Sequence, residues 1–344
     1  MSSRIETLKL GAPICLTWQI THRCNLRCVH CLSESGDRHD SEMTGDQMRS
    51  FLDDLAAMKV FYINVGGGEP LLHPDFFALM DYAAAKGIYA QFSTNGTLVD
   101  QSIATAVAER RMRVQVSLDG WDESSNDPIR GAGTFKQALK AIRLLREKGT
   151  AVSVNCVVTK STFAGLDRLY EMVTAYGAKL RLSRLRPSGR ASHHWRKLAP
   201  GIDQYRYLYR WLLGHPDVAT GDSFFFLSAL GKPLPGLNDC GAGKLTCSVD
   251  PAGNVYPCPF IIDPRLLIGN VQDKPLSRLW QESGLLAALR DMAPQACAAC
   301  PSYSQCHGGC RGASFLVYGD WNQPDPECMR RQNHGQVPVC QTAN

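Results

Sequence analysis

Six short runs along the first 185 residues are rich in β-branched and aromatic residues, and each of the first five is followed by a stretch whose apolar positions recur three and four residues apart. The runs ICLTWQI (14–20), VFYINV (60–65), IYAQFS (88–93), RVQVSL (113–118), AVSVNCVV (151–158) and KLRLSRL (179–185) predict strands. Helices are predicted near 44–58, 74–86, 100–110, 134–148 and 163–175, with a last one around 203–213; Phe135, Leu139, Ile142 and Leu145 mark the apolar face of the fourth. Repeated strand–helix units favour a parallel sheet with right-handed crossovers, because a right-twisted strand feeding a right-handed helix packs back on the sheet only that way. The expected fold is therefore α/β, a partial (β/α)6 TIM-like barrel whose functional loops follow the C-terminal ends of the strands. Beyond residue 215 this pattern dissolves into Gly, Pro and Cys, as in GKPLPGLNDCGAGKLTCSVDPAGNVYPCPF, which predicts a domain boundary there: 1–215 for the barrel and 216–344 for a loop-rich partner. That partner has too few contiguous apolar residues for an ordinary core, so bound metal is a reasonable substitute.

Composition narrows the class. The 344 residues are 44% hydrophobic and 20% charged, and no apolar run approaches the roughly 18 residues of a membrane span, so no membrane role is expected. The N-terminus lacks the apolar block of a secretory signal, so a cytoplasmic location is expected. A net charge of +5, spread over 37 basic and 32 acidic residues, argues against a dedicated nucleic-acid surface. Fourteen cysteines are the anomaly, because in a reducing compartment clustered cysteines bind metal more often than they form disulfides.

Cys24, Cys28 and Cys31 form C-x3-C-x2-C on the loop after the first strand. Three local thiolates ligate only three of the four irons of a cubane and leave one Lewis-acidic iron open. The alternatives are three unrelated cysteines or a zinc site completed by His22 or His30. VGGGEP (65–70), FSTNG (92–96) and VSLDG (116–120) end the next three strands with small or polar residues, on the face where the thiol loop is expected. Further along, Cys297, Cys300, Cys306 and Cys310 form C-x2-C-x5-C-x3-C, with Cys328 after them and Cys240, Cys247 and Cys258 before. Eight thiols are enough for two fully ligated cubanes; one zinc ribbon with spare thiols competes. Cys15 and Cys156 fall within predicted strands and read as small buried hydrophobes, whereas Cys340 in the tail is either inert or an alternative ligand.

On these motifs the first domain resembles the radical SAM superfamily. The resemblance implies a [4Fe-4S] cluster on Cys24, Cys28 and Cys31 whose open iron chelates S-adenosylmethionine (SAM), which on one-electron cleavage yields a 5'-deoxyadenosyl radical. It also implies that the backbone at His30 approaches the adenine, that Gly67, Gly68 and Glu69 hold the methionyl amino group, that Ser117 and Arg130 contact ribose or carboxylate, and that Leu185 packs near adenine. Arg130 could instead be a solvated loop arginine and Leu185 simply core. The later cysteines resemble the SPASM extension of radical SAM peptide-modifying enzymes. By that resemblance one auxiliary [4Fe-4S] cluster takes Cys240, Cys247, Cys258 and Cys310, and a second takes Cys297, Cys300, Cys306 and Cys328.

Over nearly its full length the chain is similar to the mycofactocin maturase family, in stretches such as APICLTW, CVHCLSESG, RLRPSGR, TGDSFFFL and GLNDCGAGKLTC. That family implies action on the C-terminal Val-Tyr of a small ribosomal precursor peptide: hydrogen abstraction from tyrosine Cβ with loss of the terminal carboxylate, then a carbon–carbon bond between the product and valine. The implied partners are the precursor peptide, a separate peptide-binding chaperone and an electron donor such as flavodoxin or ferredoxin. A chaperone is expected because only about thirteen residues precede the first predicted strand, far below the roughly 50 residues of an independent recognition domain. Pro259 stands where sulfatase-maturing enzymes carry an acidic base, so their mechanism does not transfer. The alternatives are crosslinking of another peptide, porphyrin side-chain decarboxylation, or a non-catalytic iron-sulfur carrier. The basic segment Arg181–Lys197, with Arg184, Arg186 and Arg190, reads chiefly as a solvated loop, although Arg186 and Arg190 are candidates to grip the substrate carboxylate.

Overall fold

The computed structural model describes residues 10–36, 41–220, 224–234, 239–291 and 294–330, which leaves Cys340 outside the described residues. In chain order the elements are β1 (Cys15–Thr21), α1 (Gly45–Ala57), β2 (Tyr62–Gly67), α2 (Phe76–Ala85), β3 (Tyr89–Thr94), α3 (Gln101–Glu109), β4 (Arg113–Ser117), α4 (Glu123–Arg130), α5 (Thr134–Glu147), β5 (Val152–Val158), α6 (Leu166–Ala175) and β6 (Lys179–Arg184). After them come α7 (Ala191–Leu198), α8 (Ile202–Gly214), β7 (Thr246–Val249), β8 (Asn254–Tyr256), β9 (Gly269–Asn270), α9 (Leu276–Glu282), α10 (Gly284–Asp291), α11 (Tyr303–Cys306) and α12 (Arg311–Tyr318). All six expected strands and the expected helices are present, so the α/β repeat that the periodicity predicts is the repeat that forms. Helices α4 and α7 are additions, as are α9 to α12 in the segment expected to be loop-rich. The first is short and polar and is held by a capping box between Asp122 and Ser125 rather than by an apolar stripe.

Two compact units divide the chain, and they do not follow its order. The first gathers residues 10–23, 41–91 and 241–291, and the second gathers 24–36, 92–220, 224–234, 239–240 and 294–330. In the first, β1 pairs in parallel with both β2 and β7, with Leu16 opposite Ile63 on one side and Cys247 on the other, while β8 and β9 continue antiparallel beyond β7. A strand from the Gly- and Cys-rich segment therefore extends the sheet begun by the first strand. Helix α1 starts at a Thr44–Gln47 capping box and buries Met48, Phe51, Leu52 and Leu55, one face at helical spacing, with Phe51 edge-on to the Trp18 ring at 5.6 Å.

In the second unit β4, β5 and β6 are parallel neighbours. Their two faces differ in chemistry. Val152, Val154, Cys156 and Val158 of β5 are buried against the helix side, where α5 contributes Ala138, Ala141, Ile142 and Leu145. The opposite face carries Gln115 and Ser117 of β4, Ser153 and Asn155 of β5, and Arg181 and Ser183 of β6. The Ser183 hydroxyl donates to Asn155 at 2.6 Å and Gln115 donates to Ser93 at 3.1 Å. Period-two alternation thus turns one face to core and leaves the other polar, as a barrel that must receive a ligand requires.

Candidate active site and cysteine centres

The thiol loop after β1 belongs to the second unit and is held there by hydrogen bonds from several other segments. Val29 N–H donates to the Ile129 carbonyl at 2.9 Å, and the Cys28 thiol lies 3.8 Å from the Arg130 carbonyl. Arg190 spans the loop from the other side: Nε donates to the Cys28 carbonyl and Nη1 to the Ser35 carbonyl, each at 3.0 Å, while its backbone N–H donates to the Cys31 carbonyl at 3.0 Å. Ser188 hydroxyl reaches the Leu32 carbonyl at 3.3 Å. Asn25 accepts from Asn95 at 2.9 Å and donates to Thr97 at 2.7 Å, so the FSTNG strand end also grips the loop. Gly189 is required where it stands, because its φ is +54° and a Cβ there would lie 2.5 Å from the Cys31 and Leu32 carbonyl oxygens.

Beneath the loop sits Asp119, the aspartate of VSLDG. Its Oδ2 pairs with His30 Nε2 at 2.6 Å and with Arg130 Nε at 2.6 Å, and its Oδ1 accepts from Val157 N–H at 2.7 Å. Burial alone would raise this carboxyl, but Arg130 and His30 outweigh it and hold it well below the ordinary range. His30 and Arg130 are both buried, so Arg130 is a paired interior arginine at the end of α4 and not a solvated one. His30 Nδ1 is buried and has no hydrogen-bond partner among the described residues, an orphaned polar atom beside the thiol loop of the kind a bound ligand satisfies. The sequence placed His30 and Arg130 at the site but overlooked Asp119, although a carboxylate directly after a barrel strand was the available signal.

The GGE run belongs to the first unit and fixes the residues leading into Cys24. Gly68 N–H donates to the Thr21 carbonyl at 2.7 Å and Glu69 N–H to the Arg23 carbonyl at 2.8 Å. A Cβ on Gly68 would fall 2.0 Å from the Arg23 oxygen, and Gly67 has φ of +119°, so this strand end admits only glycine at both positions. Glu42 adds a second hold, accepting from His22 N–H at 2.7 Å and from the Thr21 hydroxyl at 3.1 Å. Glu69 itself is buried.

All thirteen described cysteines are free thiols. Cys297, Cys300, Cys306 and Cys328 line one cavity of the second unit. Among the described residues no three His, Cys, Asp or Glu side chains converge on one point as the ligands of a single ion would. The four thiols stand around a space instead, the arrangement a cluster with one thiolate per iron needs, so the residues present fit a cubane. Burial, together with Cys328 and Cys306 beside it, raises the Cys297 thiol to about 11. Cys310 goes the other way, to about 5, because the Cys240 thiol bonds to it and Arg186 and Arg184 lie near, against burial and Asp325. Cys240 and Cys310 are thus together in the second unit. Cys247 and Cys258 lie in the first, Cys247 on β7 and Cys258 two residues after β8. Cys156 is wholly buried in β5 as expected, whereas Cys15 opens β1 half-buried, near Cys247.

The basic segment is not a solvated loop at its centre. Arg184 and Arg186 are both buried, and α7 follows directly. Leu185 is buried in a cluster with Ala191, Trp195 and Ala199. Ser117 closes β4 half-buried, in register with Asn155.

A family model described as the radical SAM superfamily matches residues 18–173, and one described as an iron-sulfur cluster-binding domain, SPASM, matches residues 240–306. Mycofactocin maturase MftC of Mycobacterium tuberculosis is 46% identical over 336 residues, covering 95% of this chain and 85% of that protein. The AdoMet-dependent heme synthase of Methanosarcina barkeri is 26% identical over 93% of this chain and 97% of its own. Among solved structures, SuiB of Streptococcus suis bound to S-adenosylmethionine has the same fold, with a TM-score of 0.77 at 18% identity over 92% of this chain and 77% of its own.

Proposed function

The chain belongs to the mycofactocin maturases, radical SAM enzymes with a SPASM domain, and on that premise we propose that it decarboxylates the C-terminal tyrosine of a small precursor peptide and then joins the product to the penultimate valine. The observation that carries this reading is the 46% identity sustained over 95% of the chain. When bound at a cluster on Cys24, Cys28 and Cys31, SAM supplies the carbon radical that abstracts a substrate hydrogen. The chain's own residues do the positioning. Arg190, Ser188 and Asn25 fix the thiol loop, Asp119 holds His30 and Arg130 beside it, and Gly67 to Glu69 brace the strand that enters it. We assign Gly67, Gly68, Glu69, His30, Ser117, Arg130 and Leu185 to the SAM side, the barrel to 1–215 and the auxiliary domain to 216–344. The auxiliary ligands are Cys240, Cys247, Cys258 and Cys310 for one cluster, and Cys297, Cys300, Cys306 and Cys328 for the other. The polar strand face, with Asn155 and Ser183, offers hydrogen bonds to the peptide end. Arg186 remains the candidate for the peptide carboxylate.

A separate chaperone that holds the leader, and a flavodoxin or ferredoxin that supplies electrons, complete the system. A flexible precursor loses conformational entropy when its end is ordered, and a docked partner offsets this by raising the local concentration of that end. No helix among the described residues is long and apolar enough to cross a membrane. The similarity to heme synthase keeps porphyrin decarboxylation as a second reading. Presenting anaerobic enzyme, SAM and reductant with both a Val-Tyr-terminated peptide and a porphyrin separates the two. The proposal requires the peptide to lose its terminal carboxyl as carbon dioxide, with a higher rate at low micromolar peptide when the chaperone is added. Conversion of the porphyrin alone would reverse the assignment.

A further inference from the structure

Asp325 is buried and hydrogen-bonds to five residues. Its carboxylate accepts from Arg184 Nη1 and Nη2 at 2.7 and 2.6 Å, from Cys310 N–H at 2.8 Å and from Glu327 N–H at 3.0 Å. Its carbonyl accepts from Cys328 N–H at 3.0 Å, and its own N–H donates to the Gly308 carbonyl at 3.1 Å. Gly309 leaves it no slack, since a Cβ there would lie 2.4 Å from the Asp325 Cβ. One aspartate therefore sets the backbone of Cys310 and of Cys328, which belong to different auxiliary ligand sets. Arg184 ties this point to the end of β6 and also donates through Nε to Glu327 at 2.5 Å, whose other oxygen accepts from the Tyr205 hydroxyl of α8 at 2.6 Å. The Arg184 guanidinium lies 4.5 Å above the Phe226 ring, and Phe226 lines the four-cysteine cavity.

We propose that Arg184 and Asp325 are positioning residues that link the two auxiliary centres and whose opposed charges set the reduction potentials of the clusters held there. This rests on the assignment of those clusters above. A cluster's potential follows the charge and hydrogen bonding around its sulfurs, and a fully buried ion pair is little screened by solvent. A carboxylate disfavours adding an electron to a nearby cluster, and a guanidinium favours it. The sequence points to Arg184 only as one cation of a basic run, and nothing in its pattern pairs that cation with Asp325 or Glu327.

The test uses full-length, anaerobically reconstituted protein carrying Cys24→Ala, Cys28→Ala and Cys31→Ala, so that only auxiliary signals remain, in a redox titration followed by electron paramagnetic resonance. Iron is counted first: failure of this background to hold about eight irons sinks the cluster assignment itself, independently of the pair. Given loaded protein, Asp325→Asn should move the auxiliary midpoint potentials upward, Arg184→Gln should move them downward, and the double variant should return them towards the starting value. A purely structural pair would show shifts of the same sign, or none, and either result overturns the proposal. Should Arg184→Gln not load, Arg184→Lys retains the charge and should leave the potentials in place while Glu327→Gln raises them; the reverse pattern overturns it equally.

Discussion

Asp119 holds two partners in one buried site, and Asp119→Asn removes the counter-charge without changing the shape. Leaving Arg130 buried and unpaired should cost about 3–5 kcal/mol, read as a lower denaturation midpoint of the apo protein at neutral pH. The sign of the pH effect follows from a folded-state carboxyl held below its unfolded value: the stabilisation is complete above about pH 4 and is lost as pH falls further through the folded value. The gap between wild type and the variant should therefore stay constant from about pH 5 to 8 and close in acid. Arg190 supports a second expectation. Its planar fork reaches two carbonyls that a lysine ammonium cannot bridge together, so Arg190→Lys should lower SAM cleavage measured without peptide. If it only raised the peptide KM, the carboxylate-binding role would be restored to it. The clamp made by Arg190 is not legible from residue type, because an arginine after Gly189 reads as solvated until the chain around it folds over it.

Strands and helices were legible where one face is apolar, as in β5 with Val152, Val154, Cys156 and Val158 or α1 with Met48, Phe51, Leu52 and Leu55. They were not legible where side chains of neighbouring segments do the work. Helix α4 rests on the Asp122 cap and on Asp127, which accepts from Gly133 and Phe135 N–H at 2.6 and 2.9 Å and so joins α4 to α5. The turn Pro187–Arg190 between β6 and α7 lies in the basic segment expected to be chiefly a solvated loop, and it is the clamp on the thiol loop. Gly189→Ala tests that clamp. Adding a Cβ at φ of +54°, 2.5 Å from two carbonyl oxygens, should displace the loop and lower the iron content by about four per chain, with the auxiliary signals retained. Full iron loading with undiminished SAM cleavage would show that the loop tolerates the displacement.

Over the whole molecule, cysteine spacing announced three centres, and the cavity around Cys297, Cys300, Cys306 and Cys328 unites the four thiols assigned to one of them. Which loops bring those thiols together was hidden, since segments far apart in sequence meet only through residues such as Asp325. Fully loaded protein should hold about twelve irons, and its formal charge should fall from +5 towards about zero as thiolates replace thiols, giving a more acidic isoelectric point than the apo form. Cys306→Ala should lose about four of those irons and damage peptide conversion more than SAM cleavage. The most direct measurement supplies the chaperone, SAM, a reductant and a precursor peptide whose C-terminal tyrosine carries deuterium at Cβ, and analyses both products by mass spectrometry. The account predicts deuterium in 5'-deoxyadenosine together with a peptide that has lost its terminal carboxyl group; decarboxylated peptide alongside unlabelled 5'-deoxyadenosine, or labelled peptide left intact while SAM is consumed, would contradict it.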